Sequence, residues 1–142
     1  MLEAWDSSFP MCNSAAHNNR PNRESLSKRL GLRAWALKAR DGESCVYCGA
    51  TAASSGAPLQ LDHVDPTTKG TPAGDSPSNL VLACRSCNSS RQNLPLAAWA
   101  DLVAARRGVA AADVISAVKA RLAAKLDLAA GKALKAARTA KN

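Results

Sequence analysis

The sequence predicts a small α+β fold: two short strands and a helix form a finger stapled by four cysteines and flanked by further helices. Three observations carry this. Cys45-Val46-Tyr47-Cys48 and Cys84-Arg85-Ser86-Cys87 are paired Cys-x-x-Cys knuckles, the spacing with which four thiolates close a tetrahedron around one zinc ion. Between them, Leu59-Gln60-Leu61-Asp62-His63-Val64 alternates and Asn79-Leu80-Val81-Leu82-Ala83 is a short apolar run, and each reads as a strand. Aromatic residues make up only 4% of the 142, and much of the hydrophobic content is alanine. A large apolar core is not expected, and a metal staple suits a small one.

The elements follow in order. Residues 1–23 are rich in Asn, Ser and Pro and read as a flexible N-terminal arm. The arm holds Cys12 and His17, read as a free thiol and an exposed imidazole because nothing nearby completes a metal site. Residues 24–41 read as one helix with Leu26, Leu30, Ala34 and Leu37 on its apolar stripe and Trp35 beside it. Asn22 or Ser25 would cap its start, and Asp41-Gly42 would end it. Residues 49–57 and 65–78 read as loops, the second holding three Pro and two Gly. A helix from Arg85 to about Asn93 stops before Pro95. Residues 96–107 form an amphipathic helix around Leu96, Trp99, Leu102 and Val103, closed by Gly108. Residues 110–130 form another around Val114, Ile115, Val118, Leu122 and Leu126, with Gly131 as an interruption before a basic Ala-rich end. The domain division that results is 1–23, 24–107 and a C-terminal extension at 108–142.

Charge and cysteine usage narrow the function. The formal net charge is +8. Residues 1–100 carry 10 basic against 8 acidic side chains, and residues 101–142 carry 9 against 3. The excess lies in the last third and suits a polyanionic partner. Five cysteines is an odd number, unlike a secreted disulfide framework. The first ten residues show neither a basic nor an apolar signal region, and no stretch approaches the ~20 apolar residues of a membrane span. The expectation is a reducing, cytoplasmic setting with thiolates available to metal.

The ordered pattern Cys-x-x-Cys…Asp-His-Val…Asn-Leu-Val-Leu-Ala-Cys-x-x-Cys-Asn-x-x-Arg over residues 38–92 resembles the HNH endonuclease family, in its variant with Asn at the last motif position. It is similar to small stand-alone HNH proteins of bacteria and phages and to the HNH domain of RNA-guided nucleases. The resemblance implies a ββα-metal, treble-clef-like finger around one catalytic cation. It also implies cleavage of DNA phosphodiester bonds to 5′-phosphate and 3′-hydroxyl ends.

The chemistry suits the residue types. A neutral imidazole near pH 7 is an economical base for the attacking water, which assigns His63. A hard cation such as Mg²⁺ takes oxygen ligands, which assigns Asp62 and Asn88, beside a structural zinc on Cys45, Cys48, Cys84 and Cys87. Asn79, by resemblance, orients His63 or ties down the intervening loop. Arg91 stands where the family usually has Lys and is expected, with Lys69 and Arg85, to contact phosphate. Adjacent strand positions point to opposite faces, so Asp62 and His63 converge only if the strand bends. The competing readings are a zinc-knuckle DNA-binding module without turnover, and an accessory subunit of a phage DNA-packaging complex docked through the C-terminal extension.

Overall fold

The computed structural model describes residues 26–140. The arm at 1–23, with Cys12 and His17, and the cap candidates Asn22 and Ser25 lie outside the described residues. The chain runs α1 (Leu26–Leu30), α2 (Leu32–Arg40), α3 (Ala52–Ser55), β1 (Gln60–His63), β2 (Leu80–Ala83), α4 (Arg85–Arg91), α5 (Leu96–Arg107), α6 (Ala111–Ala123) and α7 (Leu128–Thr139). Single 3₁₀ turns at Pro66–Thr68 and Pro77–Asn79 punctuate the loop between the strands.

The strands pair antiparallel, Gln60 opposite Ala83 and His63 opposite Leu80. All four residues of β2 are buried, so this strand is the centre of the fold. Its alternation serves two cores. Val81 and Ala83 join Tyr47, Trp99, Val103, Val114 and Val118 on one side. Leu80 joins Leu30, Ala34 and Leu37 on the other. The far edge of β2 is covered: Leu82 donates its N–H to Asp41 at 2.8 Å and accepts from Val46 N–H at 3.0 Å. Asp41 also pairs with Arg40 at 2.7 Å and Arg121 at 3.6 Å, joining the end of α2 to α6. Arg40 turns inward to donate to the carbonyls of Pro77 and Leu80.

Two helix readings are corrected. The helix expected over 24–41 breaks between α1 and α2 at Gly31, whose φ is +60°, a left-handed conformation that glycine adopts at no steric cost. The helix expected over 110–130 stops at Ala123, and Asp127 caps α7 by accepting from Ala130 N–H. Gly131 therefore lies inside α7 and does not interrupt it. Its role is close approach: a Cβ there would lie 2.5 Å from the backbone nitrogen of Ala36 in α2. The basic C-terminal helix thus seats on α2, and Arg138 pairs with Glu43 beyond the end of that helix.

Gly131→Ala tests this seat. At an open helix position the change would stabilise by about 1 kcal/mol through propensity. Here it should lower the unfolding free energy by about 1–3 kcal/mol through overpacking, read as a lower urea midpoint.

Candidate active site and metal cluster

The four cysteine sulfurs lie within 4.8 Å of one another. Cys48 Sγ and Cys84 Sγ are 3.7 Å apart, and Zn–S bonds of ~2.3 Å in a tetrahedron put the sulfurs about 3.8 Å apart. Each knuckle is built by local chain chemistry. Cys45 N–H donates to Ala50 O and Gly49 N–H to Cys45 O, with Gly49 at φ +80°. Cys84 is the N-cap of α4, its sulfur accepting from Cys87 N–H. Burial pushes the Cys45 thiol up, but the three neighbouring sulfurs outweigh this and hold it well below the ordinary thiol range. The set can hold one zinc ion.

From the second knuckle, α4 runs back along β1. Asn88 donates from Nδ2 to Gln60 Oε1 at 2.9 Å, and Arg91 donates to Asp62 at 2.7 Å. Positions 88 and 91 share a face of α4, and positions 60 and 62 share a face of β1, so Asp62 and Asn88 line one seam. Arg91 is wholly buried. This corrects the expected phosphate contact, because no phosphate reaches a guanidinium whose donors are spent inside. Those donors go to Asp62, Tyr47 Oη, and the carbonyls of His63, Val64 and Leu94. Tyr47 also bonds Asp62 Oδ2. Burial pushes the Asp62 carboxyl up against the opposing pull of Arg91. Burial, then the Asp62 charge, pushes the Tyr47 phenol well above its usual range.

Arg91 and Tyr47 both hold Oδ2 of Asp62. Among the described residues, no hydrogen bond reaches Oδ1 of Asp62 or of Asn88. Asp62 is itself buried and Asn88 half-buried. A carboxylate and an amide oxygen are the donor types that a hard divalent cation takes.

His63 turns away from that seam towards the 64–79 loop, where Nε2 meets Asp75 Oδ1 at 2.6 Å. Asn79 is the loop's organiser. Its Oδ1 accepts from Asp65 N–H at 2.8 Å, its Nδ2 donates to Gly74 O at 2.9 Å, and its backbone carbonyl accepts from Val64 N–H. Lys69 is exposed in the same loop and donates to Asn93 Oδ1 at 3.4 Å. Arg85 opens α4, half-buried. Sequence reasoning missed Asp75, Tyr47 and Gln60. Tyr47 lay in plain view inside the first knuckle. Gln60 was detectable as the polar residue two before Asp62 on the same strand face. Asp75 carried no spacing signal.

Comparison with known proteins gives one coherent result. Residues 45–94 match the family described as HNH endonuclease. The chain is similar to the CRISPR-associated endonuclease Cas9 of Actinomyces naeslundii, 41% identical over 59 residues, covering 42% of this chain and 5% of that protein. It is also similar to the CRISPR-associated endonuclease Cas9 of Corynebacterium diphtheriae, 36% identical over 61 residues, covering 43% of this chain and 5% of that protein. The chain therefore spans a small fraction of these relatives. No solved structure matches.

Two outcomes follow. Elemental analysis should find one zinc per chain. Cys84→Ser should lose it and unfold the knuckle region, since binding free energy in small zinc modules is largely folding free energy, on the order of 10 kcal/mol; a zinc-free wild type, or a variant as stable as wild type, refutes the assignment. Arg91→Leu should lower stability by about 3–5 kcal/mol in chemical denaturation, because it leaves Asp62 buried without its countercharge. Arg91→Leu together with Asp62→Leu should recover most of that loss.

Proposed function

We propose, since residues 45–94 match the HNH endonuclease family, that this chain is a metal-dependent endonuclease that hydrolyses DNA phosphodiester bonds in the cytoplasm. The observation that carries the reading is the presence of Asp62, His63, Asn79 and Asn88 together within residues 45–94, on a hairpin and helix bracketed by the cysteine knuckles. A binding module without turnover has no need of all four.

In this reading His63 accepts a proton from the water that attacks phosphorus. Asn79 holds the loop beside it in place. Asp62 and Asn88 would hold a divalent cation through their Oδ1 atoms. Such an ion, Mg²⁺ or a similar one, supplies charge neutralisation at the scissile phosphate and its leaving oxygen. Arg91 and Tyr47 fix the Asp62 carboxylate by its other oxygen, so the ligand is oriented before any ion arrives. DNA is the polyanion that the positive charge suits, and Lys119, Lys125, Lys132 and Lys135 are all exposed on the C-terminal helices and the loop between them.

Supercoiled plasmid incubated with the protein and Mg²⁺, Mn²⁺ or Ni²⁺ should give nicked or linear product. His63→Ala should keep zinc content and DNA binding while cleavage falls by ~10²–10⁴, at every metal concentration. Asn88→Ala should be partly rescued by more metal, since it removes a ligand and not the base. Cleavage by His63→Ala at the wild-type rate would overturn the assignment of the base. A wild type that cuts with no divalent ion present or added would overturn the metal-dependent reading.

A further inference from the structure

The loop between the strands holds a carboxylate that the chemistry above does not use. Asp75 Oδ1 lies 2.6 Å from His63 Nε2, with both side chains 13% exposed. The same oxygen accepts the N–H of Gly70 at 3.1 Å. Arg29 of α1 approaches the other oxygen at 3.7 Å. Partial burial works against the charged carboxylate, but the bonds from His63 and Gly70 and the charge of Arg29 hold the Asp75 carboxyl below its ordinary value.

The backbone around Asp75 is built tightly. Asp75 N–H donates to Thr71 O at 2.9 Å. The preceding carbonyl, that of Gly74, accepts from Asn79 Nδ2. A Cβ on Gly74 would lie 1.8 Å from Thr68 O, so only glycine lets the loop fold back this closely. Asn79, Gly74 and Gly70 thus deliver one carboxylate to one ring nitrogen.

We propose that Asp75 is a positioning residue for His63, accepting Nε2–H and so leaving Nδ1 as the nitrogen that takes the proton from water. The inference rests on the reading of His63 as the base. A neutral imidazole has one N–H and one lone pair, and a carboxylate can only accept, so its placement at Nε2 selects the tautomer. It also holds the ring against rotation out of the loop. An aspartate that serves the same purpose in a Ser-His-Asp triad contributes through tautomer and orientation without itself taking the proton. With Asn79 securing the loop that bears Asp75, the asparagine reaches His63 at one remove.

The test uses the full chain. The protein has two histidines, His17 and His63, so ¹⁵N NMR of the rings is simple to assign with a His17→Gln control. The wild type should show a slowly exchanging, downfield Nε2 proton on His63, with Nδ1 unprotonated. Asp75→Ala should lose that proton signal and lower kcat for plasmid cleavage by at least about tenfold, with KM for DNA and zinc content unchanged. If Asp75→Ala does not fold, Asp75→Leu, which keeps the size and has no acceptor for Nε2–H, replaces it. A wild-type His63 without the protected Nε2 proton would overturn the proposal. So would a folded variant that cuts at the wild-type kcat. If the wild type does not cut at all, the nuclease reading fails by itself. The NMR arm then still decides the pairing, supporting it when the Nε2 proton is present and overturning it when absent.

Discussion

A single buried guanidinium holds the candidate site together. Arg91 is at the end of α4, yet its donors reach the Asp62 carboxylate, the Tyr47 hydroxyl and the carbonyls of His63 and Val64, besides Leu94 O just beyond its own helix. A charge removed from water is tolerated only when paired and fully hydrogen-bonded, and Arg91 meets both conditions. The partners come from the first knuckle, the end of β1 and the turn after α4, so satisfying this one side chain forces those segments into register. A lysine could not do the same. Its ammonium offers three donors from a point, whereas the planar guanidinium spreads five across a fork. That is why an arginine at this position marks a structural role and not a phosphate contact.

The knuckles and the guanidinium act on the same elements from opposite ends. Cys84 caps the first turn of α4 and Arg91 closes its last, so a helix of seven residues is held at both termini. Isolated helices this short are marginal in water, and α4 has no apolar stripe of its own beyond Cys87. Its stability is therefore imported, from the sulfur cluster at one end and the Asp62 pair at the other. The long helices contribute differently. Trp99 stands edge-on to Tyr47, with ring centroids 5.5 Å apart, and so α5 backs the tyrosine that braces Asp62. Arg121 of α6 reaches Asp41, and Asp41 caps the open edge of β2.

How much of this the sequence made legible follows from the range of each interaction. The cysteine pairs, the two strands and the helix at 96–107 are local patterns, and each was readable from spacing or periodicity. The Asp-His and Asn motif positions were readable through resemblance to a family. The break after Ala123 was not, because an alanine-rich helix with good propensity stops where tertiary packing and the Asp127 cap favour it, not where composition changes. Gly131 was misread for a related reason. In sequence it is a helix breaker; in the fold it is the point where α7 approaches Ala36 of α2. Arg91 and Asp75 depend on partners 29 and 12 residues away, and nothing local says whether a charged residue faces water or another charge.

In the proposed reading, the hairpin separates two chemical tasks by its pleat. Residues 60 and 62 face α4, where Arg91 fixes the Asp62 carboxylate and where, in the proposed reading, Asp62 and Asn88 would hold a cation. Residue 63 faces the loop, where a carboxylate and three glycine- or asparagine-dependent contacts hold an imidazole. Neighbouring residues on one strand can thus be tuned independently. A buried arginine beside the base itself would disfavour its protonation during turnover; on the opposite face its charge is already matched by Asp62. Equally, a second carboxylate beside Asp62 would compete for the cation, while at His63 it serves only the ring. The backbone of His63 joins the two halves, since its carbonyl accepts from Arg91 while its side chain meets Asp75. The position of the imidazole is therefore set from both faces of the strand at once.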